Sequence, residues 1–324
     1  MDRQWQLLGL GFVLGVTALC ASFVGGMYFQ HKDARKRLQE LVQTDPYAYY
    51  LGPKIYEVYN IPNQFSFFKT NNEVDHRMRQ IMKYGFPGLD DLRLYSDFVL
   101  SYDRRNRVAH WVCEHLQADS IHPNRGRRGR NPYQPDLSVP SNFRSELSDY
   151  RRSGFDRGHL AAAGNHHLQQ NHCEDTFFLT NIAPQVGEGF NRGAWNNLER
   201  YVRNLVHRFG SVFVCTGPLY KPNERAAGKW AVEYEMIGLN MVAVPTHFFK
   251  VIMVESQLHL GKPYMEGYVL PNAPIPDGLP LRSFLCDIRE IEHYAGLKFF
   301  DGLRRSALFG SNYPSESQVF REFS

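Results

Sequence analysis

The sequence predicts an α+β protein, with a central, mainly antiparallel sheet flanked by helices and an N-terminal membrane-spanning helix ahead of it. Short apolar runs rich in β-branched and aromatic residues recur from Phe98 to Val254, separated by Gly, Pro and Asn turns. A stripe at helical spacing, Trp195, Leu198, Val202, Leu205, Val206 and Phe209, interrupts them and stops at Gly210. Leu7 to Phe29 carries no charged side chain. With 324 residues, 43% hydrophobic and 14% aromatic, the chain can bury one large core.

The apolar N-terminal run, at about 1.5 Å per helical residue, would cross the roughly 30 Å hydrocarbon core of a bilayer. Only Arg3 precedes it among basic residues, and no Arg-rich amphipathic pattern is present, so an uncleaved anchor is favoured over a cleaved leader. Lys32, Arg35, Lys36 and Arg37 follow it, a bias that holds this flank on the side of synthesis. The expected organisation is an anchor or targeting segment at 1–38, a linker at 39–82, a single domain at 83–310 and a tail at 311–324.

Within the domain, Glu73 to Lys83 suits a short helix leading into the Pro87-Gly88 turn. Phe98 to Tyr102 and Val108 to Cys113 suit a hairpin closed over Arg104-Arg105-Asn106, placed at a sheet edge. Arg125, Arg127, Arg128 and Arg130 alternate with glycines in a loop that can follow a phosphate backbone without reading sequence. Thr176 to Gln185 reads as a strand, Gly193 to about Phe209 as a helix, and Ser211 to Pro218, Val232 to Ile237, Met241 to Val244 and Phe248 to Val254 as further β segments. No recognition helix or zinc finger is visible.

The net charge of +4 is compatible with a polyanionic partner without requiring one. The five cysteines form no C-x-x-C pair and no regular framework, which excludes a disulfide-built scaffold and a zinc ribbon. Cys113, Cys173, Cys215 and Cys286 are expected to be buried thiols acting as small hydrophobes. His166, His167, His172 and Cys173 offer zinc-type ligands at poor spacing and are taken as loop positions.

Chemistry concentrates in Ser153-Gly154-Phe155-Asp156-Arg157-Gly158-His159-Leu160. Glycines let the backbone approach a ligand, a guanidinium can hold two phosphoryl oxygens, and an imidazole can take a proton near neutral pH. With Thr176 to Gln185 and Asn191-Arg192-Gly193-Ala194-Trp195-Asn196-Asn197-Leu198-Glu199, this ordered set resembles the DNA/RNA non-specific endonucleases with a ββα-metal (His-Me finger) site, and among them the mitochondrial endonuclease G group. Tyr84 to Leu89, Val242 to Lys250 and Pro271 to Pro274 share the resemblance, which covers roughly Lys83 to Leu303.

That resemblance implies a Mg²⁺-dependent hydrolase of DNA and RNA, with Mn²⁺ able to substitute. It implies His159 as general base, Asn191 as the direct metal ligand, Glu199 acting through metal-bound water, and Arg157 and Arg203 on the phosphate. Asn181 would position the site and Asp156 would orient its neighbours beside the nucleic acid. A homodimer in the mitochondrial intermembrane space or inner membrane is also implied. From residue type alone, Asn191 could instead be a helix N-cap, and Glu199 and Arg203, four apart, could form an ordinary ion pair. Five residues separate Gln185 from Asn191, one more than is usual in the family. The alternatives are a membrane-tethered nucleic-acid binder without catalysis and a related mitochondrial exonuclease.

Overall fold

The computed structural model describes residues 72–121, 129, 132–255 and 263–303. The predicted span Leu7 to Phe29, the loop arginines 125, 127, 128 and 130, and the tail at 311–324 lie outside the described residues. Among the described residues no helix is long and apolar enough to cross a membrane.

Six strands make the central sheet: β1 (Leu92–Leu94), β2 (Val99–Asp103), β3 (Val108–Gln117), β6 (Ser211–Leu219), β11 (His247–Val254) and β12 (Tyr264–Pro271), hydrogen-bonded in that order. Every neighbouring pair is antiparallel. The predicted hairpin is β2–β3, but it is not an edge: β1 covers β2, and β3 pairs with β6. Of the predicted 232–237 segment only Met236–Ile237 (β9) is strand, pairing with Val242–Ala243 (β10).

Because both faces of the sheet are covered, β6 and β11 are apolar on both sides. Phe248, Ile252, Val212 and Val214 face one core cluster, which contains Leu198, Val202, Leu205 and Val206 of helix α4 (Asn196–Phe209). Phe249 meets Phe299 and Phe213 meets Tyr84 on the other side. Two further helices are α1 (Asn72–Ile81) and α5 (Ile288–Ala295). Arg77 of α1 donates to Asp97 Oδ1 at 2.6 Å and to the His115 carbonyl. α5 starts at an Asp287 cap on the Arg289 N–H and ends at left-handed Gly296.

The cysteine expectation needs correction. Cys113 and Cys215 are directly opposed in the β3–β6 register and form a disulfide with Cα atoms 4.4 Å apart. No sequence spacing reveals it, because the two residues are 102 apart and only the strand pairing joins them.

Candidate active site

The site is built on a two-stranded hairpin outside the main sheet. β4 (Asp156–His159) pairs antiparallel with β5 (Ile182–Gln185), matching Asp156 to Gln185 and His159 to Ile182. A Cβ at Gly158 would overlap the buried Gln185 side chain, so a larger residue there would force Gln185 to move. Thr176 to Asn181 is not strand, as the sequence suggested, but a turn and one short 3₁₀ segment before β5.

Asn181 sits fully buried in that turn. Its Oδ1 accepts from Ala161 N at 2.9 Å, and its Nδ2 donates to the carbonyls of Ala161 and Thr176. Its own carbonyl accepts the Leu160 N–H. One carboxamide therefore clamps the backbone just after His159. The imidazole of His159 packs edge-on to Phe177, with ring centres 4.8 Å apart, and lies 5.6 Å from Tyr133. Arg157, exposed on the same strand, stacks its guanidinium 4.3 Å from the Tyr133 ring.

Asn191 lies in a wide π turn, Gly187–Trp195, that runs into α4. Its N–H reaches back five residues to the Val186 carbonyl, so it is not the cap of α4, which starts at Asn196 rather than near Gly193. The wide turn requires Gly189, whose φ is +74° and whose Cβ would meet the Ile275 backbone at 2.6 Å. Asn191 Nδ2 donates to Asp156 Oδ2 at 3.0 Å, and Arg192 Nη1 donates to the same oxygen at 2.6 Å. With its nitrogen held by Asp156, the amide of Asn191 has its oxygen available to a cation.

Glu199 and Arg203 stand one turn apart on α4, but they do not close an ion pair. Arg203 Nη1 donates instead to Asn165 Oδ1 at 3.2 Å. Burial pushes the Glu199 carboxyl up to about 6, against the opposing charges of Lys250 and Arg203. Lys250 is buried on β11, 2.6 Å from Thr216 Oγ1 and 4.9 Å from the Trp195 ring. Burial pushes its ammonium below the usual lysine range, while Glu114 and Glu199 oppose that shift.

Behind Arg203 runs a buried chain that residue-type reasoning missed. Asn165 Nδ2 donates to Glu114 Oε1 at 2.9 Å, and His166 bridges Glu114 Oε1 at 2.9 Å and Asp97 Oδ2 at 2.7 Å. Burial alone would lower the His166 pKa, yet its hydrogen bonds to Asp97 and Glu114 lift it to about 9. Burial would likewise raise Asp97, but His166, His172 and Arg77 hold it well below the usual carboxylate range. His166 thus sits at a buried loop position, where two carboxylates favour its charged form, whereas His172 and Cys173, also taken as loop positions, lie on the short helix α3 (Gln170–Asp175). A lysine and a glutamate inside otherwise apolar strands, Phe249-Lys250-Val251 and Cys113-Glu114-His115, were the available signals.

Residues 77–306 match the DNA/RNA non-specific endonuclease family. The chain belongs to that family. Mitochondrial endonuclease G of Caenorhabditis elegans is 45% identical over 237 residues, 73% of this chain and 76% of its own. Human mitochondrial endonuclease G is 47% identical over 220 residues, 68% of this chain and 73% of its own. The crystal structure of an EndoG/EndoGI complex, reported for the mechanism of EndoG inhibition, aligns with a TM-score of 0.70 at 55% identity. It covers 72% of this chain and 94% of that one. This family member is a nuclease that hydrolyses phosphodiester bonds non-specifically in DNA and RNA.

Proposed function

We propose that the chain is a Mg²⁺-dependent endonuclease of mitochondria in which His159 is the general base and Asn191 the direct metal ligand. The observation that carries this is the Asp156–Asn191 hydrogen bond, which ties the turn bearing Asn191 to the strand that ends in His159. Hydrolysis needs a base for the attacking water and positive charge for the phosphoryl oxygens. The donor set suits a hard cation: the Asn191 oxygen and the Glu199 carboxylate leave room for several waters, as Mg²⁺ prefers, and Mn²⁺ can take the same oxygens. When bound, the cation supplies charge to the scissile phosphate and the leaving oxygen.

This chain's own groups do the rest. His159 takes the proton of the attacking water, its ring held by Phe177 and its backbone by Asn181. Arg157 binds a phosphoryl oxygen. Arg203, held by Asn165, places a second guanidinium on the developing charge. Glu199 would accept hydrogen bonds from water held by such a cation, and Arg125, Arg127, Arg128 and Arg130 would grip the phosphate backbone. Contacts of this kind carry little sequence information, in keeping with non-specific cleavage.

The mitochondrial assignment rests on the names of the relatives. The Cys113–Cys215 disulfide favours an oxidising compartment, and so the intermembrane space over the matrix. Attachment through Leu7 to Phe29 rests on that segment's length, and a homodimer on the family resemblance.

The deciding experiment is cleavage of closed-circular plasmid by the full chain with Mg²⁺ titrated. The wild type should nick and linearise it, and EDTA should stop the reaction. His159→Ala should lose at least about 1,000-fold in rate with an unchanged circular dichroism spectrum. Asn191→Ala should shift the Mg²⁺ requirement upward. Retained nicking by His159→Ala would refute the base, and a gel shift without cutting by the wild type would favour the idle binder.

A further inference from the structure

Beside the hairpin, the segment between Leu147 and Arg157 encloses a cleft of about 460 Å³, lined in part by Tyr150, Arg151, Arg152, Phe155 and Arg157. We propose that this cleft is a subsite for the substrate strand flanking the scissile linkage, with Arg151 and Arg152 binding its phosphates and Phe155 offering a face to a base. The proposal rests on the nuclease reading and adds where the strand runs.

Charge comes first. Arg151, Arg152 and Arg157 face a single carboxylate, Asp156, which Asn191 and Arg192 already engage. Arg151 and Arg152 are exposed, and among the described residues neither side chain has a hydrogen-bond or ion-pair partner. An exposed unpaired guanidinium is unremarkable alone. Three around one cleft contiguous with the reacting strand make a local anion site.

The segment that carries them is fixed. Helix α2 (Leu147–Tyr150) is held by a reciprocal capping box between Glu146 and Asp149. Buried Asp149 also accepts from the Asn240 side chain at 2.9 Å. Tyr150 donates to the Ile182 carbonyl of β5 at 3.3 Å, linking the cleft to the catalytic hairpin. Ser153 Oγ donates to the Tyr150 carbonyl and accepts the Phe155 N–H, closing the turn. Arginines on a pinned turn lose less entropy on binding than arginines on a mobile one.

Asp156 lies three strand residues from His159, roughly 10 Å at about 3.3 Å per residue. Arg157 lines this cleft and is also assigned to the cleaved phosphate, so the subsite adjoins the cleaved linkage. Aromatic and cationic side chains together grip single strands without regard to sequence, as the family's activity demands.

The test compares two oligonucleotide series, each with one cleavable phosphodiester. Its flanks, several linkages long and resistant to cleavage, are anionic phosphorothioates in one series and neutral methylphosphonates in the other. The full-length wild type should prefer the anionic flanks in kcat/KM. In Arg151→Gln/Arg152→Gly that preference should fall about tenfold. Glycine suits position 152, whose φ is +58°. A paired Arg151→Lys/Arg152→Lys variant should keep the preference within about twofold. If the Gln/Gly variant keeps the wild-type preference, or the Lys pair loses it equally, the subsite is overturned while the nuclease reading stands. If the wild type cuts neither series, the nuclease reading falls and the subsite with it.

Discussion

His166 is the residue where environment most changes role. Two carboxylates hold it charged with its pKa at about 9, above an unfolded value near 6.5. Its contribution to stability is therefore complete below about pH 6.5 and is lost as pH rises through about 9. Urea unfolding of the wild type should weaken by up to roughly 3 kcal/mol across that window. In His166→Gln the slope should flatten. Since Arg203 reaches Glu114 only through Asn165, the same variant should lose kcat more than it raises KM. An unchanged slope in the variant would show that His166 is neutral in the fold. The sequence displayed this histidine but not its partners, because Asp97 and Glu114 lie 69 and 52 residues away.

Among the elements, the π turn before α4 carries Asn191, the proposed metal ligand. Gly189 takes a positive φ against the Ile275 backbone, which fixes the course of the turn into α4. Gly189→Ala should cost about 1–3 kcal/mol in chemical denaturation and raise the Mg²⁺ concentration for half-maximal cleavage. A variant of normal stability and normal Mg²⁺ response would refute that account. The helix itself was legible to within a few residues, since its stripe and Gly210 stop are local signals. Its start was not, because a helix period says nothing about an i to i−5 turn ahead of it. Strands β6 and β11 were legible as apolar runs, whereas 232–237 was overread because β-branched content does not supply a partner strand.

For the whole molecule, the disulfide joins the middle of the sheet across a separation of 102 residues. Non-reducing peptide mapping after alkylation should recover Cys113 and Cys215 as one cross-linked pair and Cys286 as an alkylated thiol. Reduction should lower the melting temperature, because it frees a long loop in the unfolded chain. Recovery of alkylated Cys113 from unreduced protein would refute the bridge. Family, fold class, the Asp156–His159 motif and the amphipathic helix are written in local pattern, so the sequence by itself determined them. The Cys113–Cys215 pair, the Asp97–His166–Glu114 chain, the clamp by Asn181 and the arginine cleft were decided only by the tertiary structure. Each joins residues that are distant in the chain or sets the direction of a side chain, and neither is fixed by a residue's near neighbours.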